Sequence, residues 1–174
     1  TTVAAEPLSG AYLAGRQAMI DNDFVAASQY FTRALMHDSA NPALLENVVF
    51  AQLALGNLDG ARPVADQMLA LGISSQVASL AYAAGAAKAG DYDLILARDT
   101  QEQGISQLVD GLNIAWAHMG KGSVGKALEE FDALAKVEGL RGFALYHRAL
   151  ALASVGDYEG AEALFAADGG QLAL

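Results

Sequence analysis

Gly120-Lys121-Gly122-Ser123-Val124-Gly125-Lys126 is the stretch of this chain that comes nearest to chemistry. It spells G-x-G-x-x-G and falls one residue short of a phosphate-binding loop, because Ala127 stands where a Ser or Thr hydroxyl would hold magnesium. Such a loop also needs a preceding strand to aim it, and the residues before Gly120 read as a helix. Ala127 is, moreover, required for packing by the pattern described below. The stretch therefore reads as a turn between helices, whose helix start could attract an opportunistic sulfate or phosphate.

His37, His118 and His147 are the only histidines, and no two lie three or four residues apart, so no helix carries a paired metal face. They read as packed or surface residues. The carboxylates Glu129, Glu130, Glu159 and Glu162 read as solvated helix faces. No spacing of serine, histidine and acid argues for a triad, and with no cysteine there is no thiol chemistry, zinc ribbon or disulfide framework. No catalytic residue, metal site or cofactor is expected.

The elements that would position any site are announced by a recurring turn. It reads Asn22-Asp23-Phe24, Gly56-Asn57-Leu58, Gly90-Asp91-Tyr92, Gly122-Ser123-Val124 and Gly156-Asp157-Tyr158, with first members 34, 34, 32 and 34 residues apart. Five residues after each start comes Ala27, Ala61, Ala127 or Ala161, with Ile95 taking the place in the third repeat. A period near 34 marks a helix-turn-helix unit stacked into a solenoid. Gly or Asn tolerates the left-handed backbone that ends a helix. The polar residue after it can cap the next one, so Asp23, Asn57, Asp91, Ser123 and Asp157 are expected caps.

The first helix is expected from Ser9 to Asp21 and the second from Asp23 or Phe24 to about His37. Ser39-Ala40-Asn41-Pro42 closes the first repeat, with Pro42 placed in the first turn of the next helix. Breaks follow at Leu71 to Ser75, with a serine cap, then at Gly104-Ile105-Ser106 and at Gly139 to Gly142. Leu80 to Ala89 reads as a short buried helix. Leu128, Phe131, Leu134 and Ala135 share one helical face, with Glu129, Glu130 and Asp132 pointing away. The third repeat departs most: Asp99 stands where Phe31, Phe131 and Phe165 stand in theirs. Its second helix is expected from Asp93 to about Gln103, with an irregular joint there. No strand is credible.

Residues 9 to 168 resemble the tetratricopeptide repeat family. The signature turn and second helix are seen in Asn22-Asp23-Phe24, Ala27, Phe31 and Ala34, and again in Gly156-Asp157-Tyr158, Ala161 and Phe165. The small residue inside each first helix appears as Gly15, Ala83, Ala115 and Ala149, with bulkier Val49 in the second repeat. The resemblance implies an all-α, right-handed α-α superhelix of about five repeats spanning 9–168, between a flexible segment 1–8 and a C-terminal tail 169–174. No further capping helix is seen after Phe165, so more repeats, a partner or a second copy is expected to cover that end.

The resemblance also implies that first-helix side chains build a concave surface for an extended peptide. In this numbering it would comprise Tyr12, Arg16, Glu46, Asn47, Phe50, Lys88, Leu112, Asn113, Trp116, Tyr146 and Leu150, joined by Leu80 and Ala84. The aromatics offer large contact area at low entropic cost. Family members that clamp a terminal carboxylate use Lys, Asn and Arg over three repeats. Asn47 fits, but Val77 and Ala81 occupy the third-repeat sites, so acidic C-terminal tails are not expected to bind tightly.

The bulk properties agree with an interaction surface. Apolar residues make up 53%, which excludes disorder, and no apolar run approaches the length of a membrane span. Twenty acids against ten scattered bases give a net charge of −10, which argues against nucleic acid and anionic membrane as partners. The chain begins at Thr1, and Thr1 to Leu8 are small and irregular, as after a removed signal peptide. A bacterial periplasmic, envelope or secreted location is the expectation, and a cytoplasmic one the alternative. The function expected is a non-enzymatic protein-interaction scaffold. The alternatives are a self-associating structural part of a longer repeat protein, and a small-molecule carrier or enzyme with a pocket at the irregular third repeat.

Overall fold

The computed structural model describes residues 8–98 and 104–167. The expected segment 1–8 and tail 169–174 thus lie almost wholly outside the described residues, as do Asp99 and Gln103. Within them the chain is all-helical: α1 (Leu8–Ile20), α2 (Phe24–Leu35), α3 (Pro42–Ala54), α4 (Leu58–Ala70), α5 (Gln76–Ala89), α6 (Tyr92–Leu96), α7 (Gln107–Gly120), α8 (Val124–Leu134), α9 (Arg141–Ser154) and α10 (Tyr158–Ala167). The chain divides into two compact units, Thr1–Gly85 and Ala86–Leu174, with the boundary inside α5.

Each recurring turn does three jobs with two residues. Asn22 and Gly56, Gly90, Gly122 and Gly156 all adopt positive φ, between 57° and 88°. That reversal lets the next amide reach five residues back: Asn57 N–H donates to Gln52 C=O at 2.9 Å, and Asp23, Asp91, Ser123 and Asp157 repeat the bond at 2.8 to 3.0 Å. The same residue's carbonyl then opens the following helix, as Ala61 N–H donates to Asn57 C=O at 3.0 Å. Its side chain completes the cap, with Asp23, Asn57, Asp91 and Asp157 accepting from the amide three residues on.

Ser123 is the exception. It makes the backbone bonds but its hydroxyl caps nothing. At the turn backbone (φ −90°, ψ 60°) the short serine side chain does not reach where an Asx oxygen reaches. From the extended backbone of Ser106 (φ −164°, ψ 158°) the same hydroxyl does accept from Val109 N–H. The serine cap after Leu71 is Ser75, whose hydroxyl accepts from Ala78 N–H at 3.2 Å.

Helix ends differ from expectation by a turn or less at α1 and α2, since the left-handed residue Asn22 and the cap Met36 stop them early. α6 departs further. It has five residues and ends at Leu96, well before the expected Gln103. Leu80 to Ala89 is not buried throughout: Ala81, Ala83 and Ala86 are inward, while Leu80 and Lys88 are exposed. Its run of alanine hid that only one face packs.

The core is a series of clusters within each unit. In the first, Ala27, Phe31 and Ala34 of α2 meet Leu44, Val48 and Ala51 of α3. Next, Leu45 and Val49 meet Ala61, Ala65 and Met68 of α4 and Ala78 and Ala81 of α5. In the second unit Ala115, Ala127, Phe131 and Ala151 form one cluster, Ala86, Ile95 and Ala117 another, and Ala149, Leu152 and Ala161 a third. Small residues let the helices approach: a Cβ built on Gly15 would sit 2.8 Å from Phe31 Cε1.

Phe165 breaks the series. Phe31 and Phe131 are wholly buried, each under a helix that follows, whereas Phe165 is 48% exposed. Its helix, α10, packs chiefly on α9.

Candidate functional site

The phosphate-loop-like stretch resolves into a helix end and a helix start. Gly120 closes α7 against the Tyr92 ring, which a Cβ at that position would enter at 2.3 Å. Lys121 pairs with Asp93, and Ala127 is fully buried. The glycine, the lysine and the alanine are thus spent on joining α6, α7 and α8, and α7 stands where a phosphate loop would have a strand. Among the described residues no three His, Asp or Glu side chains lie together to hold a metal ion.

In the first unit, the candidate face runs along α1 and α3. Tyr12 is half-buried with its ring edge-on to Phe31 at 6.1 Å, and its hydroxyl accepts from exposed Arg16 at 3.4 Å. Exposed Glu46 accepts from the Ser75 hydroxyl at 2.7 Å, so one acid of the face also ties α3 to the start of α5. Asn47 spends its amide on Ala43 C=O of its own helix at 2.7 Å. Phe50 is 43% exposed, its ring tilted against Phe24 at 6.3 Å. Beside Tyr12 a cleft of about 340 Å³ opens, lined by Ser9, Tyr12, Asn41, Ala43 and Leu44. Sequence reasoning had Tyr12 but missed the wall from α3. Asn41 was legible only as a helix start, which it is, accepting from Ala43 and Leu44 amides.

The second unit carries the rest. Lys88 is exposed, Leu112 and Asn113 are half-buried, and Leu150 is 40% exposed. Trp116 is half-buried and wedged: its ring meets Phe131 edge-on at 5.9 Å and His147 at 6.2 Å. Its indole N–H donates to His147 Nδ1 at 3.1 Å. Half-buried Tyr146 stands perpendicular to His147 at 5.6 Å. His147 therefore belongs to this face, a role its position 34 residues after Asn113 could have signalled. Burial of its ring holds its pKa below the usual imidazole value of 6.5.

The carboxylate-clamp positions hold nothing cationic: Val77 is half-buried, Ala81 buried, and Asn47 already bonded within its helix. The pocket expected at the third repeat falls partly on 99–103, outside the described residues.

Helix pairs joined by left-handed turns at this period define a tetratricopeptide-type repeat solenoid. Solved structures share it. MamA from Desulfovibrio magneticus RS-1, residues 41 to the end, superposes with a TM-score of 0.74 at 18% identity, covering 91% of each chain. A MamA RS-1 ArsTM double mutant gives 0.74 at 17% identity, over 91% of this chain and 90% of that one. A crystal structure of MamA protein gives 0.74 at 17%, over 91% of this chain and 87% of that one. At such identities the likeness is one of fold. No family model matches the chain, and no curated protein matches it significantly.

Proposed function

We propose that this chain is a non-enzymatic scaffold that binds a protein or peptide through the first-helix faces of its repeats. The observation that carries this reading is the set of apolar and aromatic side chains that first helices leave at the surface. Second helices bury Ala27, Phe31, Ala61, Met68, Ala127 and Phe131 completely, although Val25 of α2 and Tyr158 and Phe165 of α10 are exposed. First helices bury Leu45, Val49 and Leu152 along with their small residues, yet leave Phe50, Leu80 and Leu150 exposed, with Tyr12, Trp116 and Tyr146 half-buried. Side chains of that kind, held on rigid helices, supply anchors at little entropic cost. The net charge of −10 favours neutral or basic segments around an apolar anchor.

A displayed random-peptide library panned on the chain tests this. Enriched peptides should carry an apolar anchor with neutral or basic flanks. They should lose about tenfold or more in affinity on Phe50→Ala or Tyr146→Ala at unchanged melting temperature, as an anchor worth at least 1.4 kcal/mol would. No enrichment, or enrichment indifferent to both substitutions, sinks the reading.

Exposed Phe165 and Tyr158 on α10 favour a second reading, self-association through that face. Its mark is a light-scattering mass that rises with concentration and stays monomeric in Phe165→Ser; a mass constant in the wild type removes it.

A further inference from the structure

We propose that the Trp116–His147 contact is a proton-released latch: the neutral imidazole holds the indole between α7 and α9, and a proton on Nδ1 frees it. The geometry fixes the chemistry. An indole N–H can only donate, so His147 Nδ1 at 3.1 Å must be the acceptor, and the imidazole proton then sits on Nε2. Protonating Nδ1 sets two N–H groups against each other, and neither can accept. The indole must then find another acceptor or turn towards water, because an unpaired donor shielded from solvent is costly. Tyr146 stands against the same imidazole, so the proton arrives between the two large aromatics of this unit's face.

The other titratable groups on the elements around α9 are engaged elsewhere, exposed or half-buried. Arg148 of α9 pairs with Asp132 of α8 at 3.0 Å, and Asp110 of α7 accepts from Ile105 N–H at 2.8 Å. Lys126 and Glu129 of α8 and Tyr158, Glu159 and Glu162 of α10 are exposed, as is Arg141 on α9, while His118 of α7 and Glu130 of α8 are half-buried. Burial lowers the His147 pKa, so the unfolded chain takes up this proton more readily than the folded one. Its contribution to stability is fully present above the ordinary value of 6.5 and declines as pH falls from there through the folded value.

The latch regulates the docking face and to that extent rests on the proposed function, but its test needs no partner. Trp116 is the sole tryptophan, so the emission reports the surroundings of this one indole. Between about pH 7.5 and about pH 5 we expect a single transition with its midpoint below 6.5, accompanied by greater access of acrylamide to the indole. His147→Gln, whose amide oxygen can still accept the indole proton, should abolish the transition, and His118→Gln should leave it. In the wild type the lone indole N–H NMR signal should move with the same midpoint, a readout that stands if the variant fails to fold. Emission flat to about pH 5, a transition that survives His147→Gln, or quenching without gain in acrylamide access each overturns the latch. Peptide affinity that ignores pH while the emission changes would instead count against the docking reading for this unit.

Discussion

Two helical glycines have opposite reasons for being glycine. At Gly15 a methyl would press 2.8 to 2.9 Å from three atoms of the Phe31 ring, and that ring is fully buried and cannot withdraw. Alanine gains roughly 1 kcal/mol of helix propensity over glycine, whereas overpacking costs about 1–3 kcal/mol. Overpacking wins, and Gly15→Ala should lower stability by about 1 kcal/mol in urea unfolding. At Gly125, in the first turn of α8, a methyl meets open space, so Gly125→Ala should raise stability by about 0.5 kcal/mol or less, below the gain at a helix interior. The second result bears on chemistry too. A phosphate cradle would demand that glycine, whereas a turn between helices does not. Destabilisation by Gly125→Ala would count against the turn reading, and a neutral Gly15→Ala would show the α1–α2 contact to be looser than described.

At the scale of the element, one position asks for phenylalanine in three repeats and gives it two fates. Phe131 is closed in by α7, α8 and the Ala151 side of α9, and Phe131→Ala should cost about 3–5 kcal/mol by calorimetry or denaturant. Phe165, half in solvent, should cost about 1 kcal/mol or less under the same change. Equal costs would mean that something covers α10 in solution. The 34-residue period, the left-handed turn residue and its polar follower made the helix pairs legible, because each is dictated by the backbone of a single turn. The early end of α6 was not legible, since nothing local stops a helix at Leu96 as a glycine stops α5. Nor was the silent hydroxyl of Ser123, which depends on φ and ψ and not on residue type. His147 escaped for a different reason: the repeat period could place it on this face, but its partner lies 31 residues away and the contact itself depends on the register between α7 and α9.

In the whole molecule, stability should follow the number of interfaces each helix has and not the depth of any single core. α3 is held by α2 on one side and α4 on the other, and its residues serve two clusters. α10 has chiefly α9, and α6 has five residues. In a stack of nearest-neighbour contacts, opening an end element breaks one interface, while opening an interior one breaks two. Native-state hydrogen exchange should therefore rank amides in α2 and α3, and in α7 and α8, slowest within their units, with α10 and α6 faster by tenfold or more, or about 1.4 kcal/mol in opening free energy. Uniform protection along all helices would mean that each unit opens as a single block, and the solenoid would then be cooperative beyond its neighbour contacts. A graded profile instead leaves the inner helices rigid under a binding load and lets the outer ones adjust. That is the property a face of half-exposed aromatics needs if it is to hold its anchors in place.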